Sequence, residues 1–120
     1  MLYINPSAQT SEEPVIDELT MKMTAAFRRA TKGTQWRGWH TCRCGAHSHS
    51  CDYILPNGEQ TNSLCIHYLA WHRGEVPQSE LDVVAALDFG MGTPTGEELV
   101  QPGDPNENKL KKLQERFSSD

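Results

Sequence analysis

The chain has 120 residues, a formal net charge of −5 and an apolar content of 37%. This length suits one domain, and the low apolar content indicates a small core that would gain from a metal staple. No basic segment followed by an apolar run opens the sequence, and no apolar stretch approaches the roughly 18 residues of a membrane span. The composition therefore argues against a secreted or membrane protein. We expect a cytoplasmic protein with the general look of small bacterial and phage proteins.

Charge is segregated along the chain. Residues 19–51 contain six basic residues and no acid, whereas residues 75–108 contain eight acids and neither Lys nor Arg. Either these two blocks face each other in the fold, or one of them faces a partner. The sequence leaves both interpretations open.

The first predicted element is a long helix that follows a flexible arm at residues 1–9. Thr10 and Glu13 have the spacing of a capping box, and apolar residues then recur at helical intervals up to Ala30. Gly33 is a credible stop signal. The pattern therefore predicts a helix over residues 12–32.

A short strand, a turn and a second helix follow. Residues 52–55 have the character of a strand, and the Pro-Asn-Gly sequence at residues 56–58 is typical of a turn. Thr61 or Asn62 is placed to cap the next helix. Four residues form one inward stripe on that helix: Leu64, His67, Tyr68 and Trp71.

Shorter helices are predicted in the rest of the chain. Three pairs have the spacing of a helix start: Ser79 with Asp82, Thr95 with Glu98, and Asp104 with Glu107. The last pair begins a helix over residues 105–120, whose few apolar side chains suit fraying or docking. The chain thus divides into the arm at residues 1–9, a globular domain at residues 10–104 and this C-terminal helix.

All cysteines and histidines lie within a span of 33 residues: His40, Cys42, Cys44, His47, His49, Cys51, Cys65, His67 and His72. Without a secretion signal, the four cysteines argue against a disulfide framework. Zinc is bound tetrahedrally by thiolates and imidazoles. Such clustering therefore favours a metal site.

Two pairs within this span have suitable spacing for ligands. Cys42 and Cys44 lie on a tight turn, where Gly45 can adopt the positive φ that lets backbone amides point toward sulfur. His67 and His72 follow on the predicted helix, within the H-x₃₋₅-H spacing of finger-type sites. Five helical residues turn by about 500°, so the two rings diverge by roughly 140° unless the last turn tightens or widens.

This order of a Cys pair, a hairpin and a helix with a His pair resembles a ββα zinc finger over residues 42–72. The resemblance implies Zn²⁺ bound by four residues: Cys42, Cys44, His67 and His72. The 22 residues between the two pairs exceed the roughly 12 of a typical finger. Mixed sulfur and nitrogen ligands favour zinc over iron or copper. We predict an α+β fold, a small and mostly helical single domain around a zinc-stapled β-hairpin and helix.

Other interpretations of the cluster stay open. Cys65 is a substitute ligand, although it points nearly opposite His67, and otherwise it is a small buried apolar residue. His67 itself could be a hydrogen-bonded core histidine. Four residues are spare in the preferred set: His40, His47, His49 and Cys51.

A weaker resemblance links residues 52–56, Asn62 and His72 to the core of HNH nucleases. It implies that Asp52 and His72 hold a divalent ion and that Asn62 orients a neighbour. The general-base histidine of that family corresponds to Tyr53, and a tyrosine with its ordinary pKa near 10 does not activate water at neutral pH. A degenerate nuclease is therefore the second alternative.

Aromatic and basic residues interleave before the hairpin and could grip phosphates and stack a base. These candidate nucleic-acid contacts are Arg28, Arg29, Lys32, Trp36, Arg37 and Arg43. The acidic block could instead meet a basic protein. We expect a non-catalytic zinc-binding protein that acts as a protein-interaction module, an adaptor or an inhibitor, with nucleic-acid binding as the first alternative. We identify no small-molecule substrate.

Overall fold

The computed structural model describes residues 1–35, 37–38 and 40–102. Within them the elements are α1 (Glu18–Arg28), β1 (Thr31–Gln35), β2 (Cys51–Ile54), β3 (Gln60–Thr61), α2 (Cys65–Trp71), a 3₁₀ turn (Arg73–Glu75), α3 (Gln78–Ala85) and α4 (Gly96–Leu99). The strands form one antiparallel sheet in the order β1-β2-β3. This architecture is the predicted α+β class.

Helix α1 begins later than the sequence predicts. Its N-cap is Asp17, whose side chain accepts a hydrogen bond from the backbone N–H of Thr20. The predicted start at residue 12 is wrong because the backbone of residues 11–15 is hydrogen-bonded to the end of α2. The N–H groups of Ser11 and Val15 donate to the carbonyl oxygens of Trp71 and Ala70, at 3.1 and 2.8 Å.

The same helix also ends earlier than predicted. Arg29 is its C-cap, and Thr31 and Lys32 already belong to β1, where they pair with Ile54 and Tyr53 of β2. The predicted end at residue 32 is wrong because pairing with a distant strand competes with the helix. Gly33 lies within β1, where an added Cβ would come 3.2 Å from Ile54.

The hairpin that joins β2 and β3 confirms the predicted strand and turn. The N–H of Gly58 donates to the carbonyl of Leu55, and Gly58 has a φ of 88°. The side chain of Asn57 accepts from the N–H of Glu59 at 3.0 Å. These contacts fix the register that carries the chain into α2.

Helix α2 lies at the centre of the fold. All its residues are buried, so the predicted inward stripe describes only part of its packing. Helices α1 and α4 pack against it, and α1 also contacts α3. Neither predicted cap acts at its first turn: Thr61 ends β3, and the side chain of Asn62 accepts from the N–H of Leu64, one residue before the helix.

Two predicted starts can be compared with the later helices. Helix α3 begins at Gln78 with Pro77 as its N-cap, two residues before the predicted cap Ser79. The capping box of Thr95 and Glu98 is present and begins α4. The helix predicted for residues 105–120 lies outside the described residues.

The N-terminal residues make defined contacts. Leu2 is fully buried, and its N–H donates to the carboxylate of Glu80 at 3.1 Å. The backbone N–H and hydroxyl of Ser7 each donate to the carboxylate of Glu75 at 3.0 Å. The flexibility expected for residues 1–9 stays a prediction.

Candidate metal centre

The two thiols lie on a tight loop between β1 and β2. Thr41 and His47 form an isolated antiparallel bridge that closes the loop. Within it the N–H of Cys42 donates to the carbonyl of Ala46, and the N–H of Gly45 donates to the carbonyl of Cys42, both at 2.8 Å. Gly45 has a φ of 98°, so it supplies the left-handed residue that the turn requires.

The two imidazoles come from α2 and from its end. His67 lies within the helix, whereas His72 is the C-cap, with φ −127° and ψ 32°. Leaving the helix at this residue changes the direction of the second ring, and the 3₁₀ turn that follows carries the chain away. This resolves the divergence that a regular helix would impose on the pair.

The ligand atoms of all four residues converge. The Sγ atom of Cys42 lies 3.3 Å from Nε2 of His72, and the Sγ atom of Cys44 lies 3.3 Å from Nε2 of His67. All four atoms lie within 4.8 Å of one another. Typical zinc–sulfur and zinc–nitrogen bonds place tetrahedral S and N atoms roughly 3.6 Å apart. The four residues are therefore positioned to bind a metal ion.

Burial sets the electrostatics of this cluster. It raises the pKa of the Cys42 thiol to about 11, although backbone N–H groups of Cys44 and Arg43 act in the opposite sense. Burial lowers the pKa of His67 to about 4 and also lowers that of His72. Both imidazoles are thus neutral at pH 7, as a metal ligand must be, while the Cys42 thiol gains from a cation that replaces its proton.

The end of α4 orients the ring of His67 through the nitrogen that does not face the thiols. Its Nδ1 atom donates to the carbonyl oxygen of Val100 at 2.6 Å and lies 3.2 Å from that of Leu99. This bond fixes the proton on Nδ1 and leaves the Nε2 lone pair facing the thiols. A core histidine without a metal would make the same bond, so the ligand role of His67 rests on its Nε2 atom, which lies among the thiols.

The remaining cysteines and histidines lie apart from the converging atoms. Cys65 is fully buried in the apolar core, where burial raises its pKa to about 12. Cys51 opens β2, opposite Gln35. The Nδ1 atom of His49 lies 2.7 Å from the hydroxyl oxygen of Tyr53. The Nδ1 atom of His47 lies 3.1 Å from the hydroxyl oxygen of Thr41.

The residues of the HNH resemblance do not meet at one ion in the described part of the chain. Asp52 accepts a hydrogen bond from the hydroxyl of Tyr3 at 2.8 Å. His72 lies among the thiols, and Asp52 is not a member of that group. The side chain of Asn62 accepts the N–H of Leu64, just before α2, as given above. Asp52 and His72 are therefore not placed to bind the same metal ion.

The candidate nucleic-acid contacts divide into two classes. Arg28 is clamped by Glu98, with N–O distances of 2.6 and 2.9 Å, and by the carbonyl of Thr93. Arg28 is nevertheless exposed, as are Arg29, Lys32, Arg37 and Arg43. Trp36 lies outside the described residues. Among the residues that the structure describes, the basic and acidic blocks share one ion pair, Arg28 with Glu98, and most of the basic block is exposed.

Sequence reasoning missed the carbonyl groups of Leu99 and Val100 as partners of His67. A backbone acceptor leaves no signature in residue type, so only the fold could locate them. None of the helices in the described ranges has the length and apolar character needed to cross a membrane.

Comparisons with protein-family models, with curated proteins and with solved structures gave no significant match. The functional argument therefore rests on the converging ligand atoms and on the surfaces around them.

Proposed function

We propose that the protein is a non-catalytic zinc-binding module in which Cys42, Cys44, His67 and His72 hold one Zn²⁺ ion. The observation that carries this proposal is the convergence of two thiols and two Nε2 atoms within 4.8 Å, all of them on buried residues. Sulfur and nitrogen ligands in a tetrahedral arrangement suit zinc better than magnesium or calcium, which prefer oxygen.

The geometry favours a structural role for the ion. Four protein ligands complete the coordination of zinc, whereas catalytic zinc keeps a position open for water or substrate. His67 and His72 are 0% and 3% exposed, so substrate would have little access to the metal. The ion would join the loop at residues 41–47 to α2, and through His67 to the end of α4.

A protein partner is the preferred target of this module. In a ββα finger the helix enters the major groove of DNA, but α2 is buried along its whole length and offers no such face. Part of the acidic block remains available: Asp82, Asp88 and Glu97 are exposed. A basic protein surface fits this charge, which suits an adaptor or an inhibitor.

Nucleic-acid binding is the second candidate. The exposure of Arg29, Lys32, Arg37 and Arg43 favours it, because exposed cations can contact phosphates. Such binding would be independent of sequence and would weaken steeply as salt rises.

Metal content tests the zinc site. The full chain, purified without added metal or chelator, should contain about one equivalent of zinc and no other metal in comparable amount. Less than about half an equivalent, in protein that is folded, would contradict the proposal.

Opposite charge reversals separate the two partner classes. Capture from extracts of the native host should identify a basic protein that is lost with the Asp82→Lys/Asp88→Lys variant and retained with Arg29→Glu/Arg43→Glu. The reverse pattern, with binding of an oligonucleotide at low ionic strength, would favour nucleic acid instead.

A further inference from the structure

The Nδ1 atom of His72 is buried and has no hydrogen-bond partner within the described residues. When Nε2 binds a metal, Nδ1 carries the proton and becomes a donor. His67 satisfies the same requirement with the carbonyl of Val100. The two halves of the site are therefore unequal, and His72 needs an acceptor.

Glu75 is the side chain placed to supply that acceptor. Its Oε2 atom lies 3.8 Å from Nδ1 of His72, three residues earlier in the chain. This distance is too long for a hydrogen bond, but a small rotation of the carboxylate would close it. The backbone of Gln9 also acts on this imidazole, but a main-chain carbonyl has fewer rotations available than a carboxylate at the end of a side chain.

Ser7 orients the same carboxylate. Its backbone N–H donates to Oε1 and its hydroxyl donates to Oε2, each at 3.0 Å. Ser7, His72 and Glu75 all line one cavity of about 430 Å³, so Glu75 has room to approach the ring. Metal-bound histidines commonly donate their second N–H to a carboxylate that is itself hydrogen-bonded.

We propose that Glu75 is a positioning residue of the metal site, which accepts the Nδ1 proton of His72 and is held in place by Ser7. The inference rests on the proposed zinc function and extends it. It gives the N-terminal segment a role, because Ser7 then acts on the metal through Glu75 and His72. Loss of the carboxylate should weaken zinc binding without removing a ligand.

Zinc affinity of the full chain, measured by competition with a chelator, tests this role. Glu75→Ala should bind about 10- to 100-fold more weakly than the parent while still binding one equivalent. Glu75→Gln retains an oxygen acceptor and should recover part of the loss. Glu80→Ala is the matched control, because Glu80 also accepts an N–H from the N-terminal segment, at Leu2, but belongs to α3. Its zinc affinity should stay close to that of the parent.

Nuclear magnetic resonance supplies a readout that a general loss of stability would not produce. In the zinc-loaded parent, the Nδ1 protons of both His67 and His72 should be protected from exchange. In Glu75→Ala the His72 signal should disappear while the His67 signal remains as an internal control. Parent-like affinity together with a retained His72 signal in Glu75→Ala would overturn the role of Glu75 and leave the zinc function intact. A parent that binds no zinc would overturn both.

Discussion

The Nδ1 atom of His67 lies 2.6 Å from the carbonyl oxygen of Val100. Val100 has a φ of 51°, which is unfavourable for a β-branched residue, and this backbone conformation accompanies the contact of its carbonyl with the imidazole. The end of α4 thus presents a strained residue to the metal site. The strain indicates that the position of this carbonyl matters to His67.

Substitution of Val100 tests that relationship. Proline is restricted to φ near −65°, so Val100→Pro should turn the carbonyl away from His67 and weaken zinc binding by roughly 10-fold or more. Glycine adopts positive φ readily, so Val100→Gly should keep zinc affinity near that of the parent. Chelator competition measures both variants. Equal affinities for the two would contradict a role for this carbonyl.

Zinc binding should release protons. Because burial raises the pKa of Cys42 to about 11, its thiol is protonated in the metal-free protein at pH 7 and must lose that proton to bind the ion. The pKa of His67 is lowered to about 4, so that imidazole is already neutral and releases none. Binding of Cys42 as a thiolate should therefore release at least one proton per zinc.

Titration calorimetry in buffers of different ionisation enthalpy measures this number directly. Affinity should rise as pH rises, by about 10-fold per unit for each proton released. Affinity that does not change between pH 6 and 8 would mean that the thiols are not the ligands.

Removal of one ligand should abolish cooperative folding. Cys42→Ser and His72→Ala each leave three ligands in a buried site, and structural zinc sites usually supply folding free energy outright. The matched controls are Cys51→Ala and His49→Ala, which should retain zinc and a cooperative melt. Because His49 is exposed, His49→Ala should lower the free energy of unfolding by about 1 kcal/mol or less. Thermal unfolding followed by circular dichroism checks all four. A Cys42→Ser protein with the melting temperature of the parent would show that the site is not structural.

Asp17 should stabilise the packing of α1 against the end of α2. Its carboxylate caps α1 through Thr20 and forms two bonds of 2.6 Å with the guanidinium of Arg73. Asp17→Ala removes both contacts and should lower the free energy of unfolding by about 1 to 2 kcal/mol. The ion pair adds little to this value because it is partly exposed to solvent. Asp17→Asn keeps a capping oxygen and should cost about half as much. Denaturant unfolding of zinc-loaded protein measures the difference.

The same carboxylate gives a pH dependence of stability. Hydrogen bonding to Arg73 lowers the pKa of Asp17 to about 2, below the value near 3.9 of an unfolded chain. Its contribution is therefore complete above about pH 4 and is lost as pH falls toward 2. Between about pH 5 and 8, where zinc stays bound, the difference in unfolding free energy between the parent and Asp17→Asn should therefore be constant. A difference that shrinks as pH falls within that range would contradict the assigned ion pair.

Local signals in the sequence predicted the elements that depend on local contacts. The turn at Asn57 and Gly58 and the capping box of Thr95 and Glu98 were found because their hydrogen bonds join residues close in sequence. The bounds of α1 were wrong because distant partners decide them. Strand β1 was missed for the same reason, since it pairs with β2 about 20 residues later.

The metal site was predictable at the level of residue type. Clustering of Cys and His pointed to Cys42, Cys44, His67 and His72, and these four converge. The helical spacing of His67 and His72 could not reveal that the second residue leaves the helix. Nor could it reveal Val100 or Glu75, because their roles depend on α4 and on the 3₁₀ turn after α2.

X-ray absorption at the zinc edge of the purified full chain tests the central claim most directly, because it reports the ligands themselves. We predict two sulfur atoms at about 2.3 Å and two imidazole nitrogens at about 2.0 to 2.1 Å. A first shell with four sulfur atoms, with oxygen and no sulfur, or with no bound zinc would contradict the assignment of Cys42, Cys44, His67 and His72.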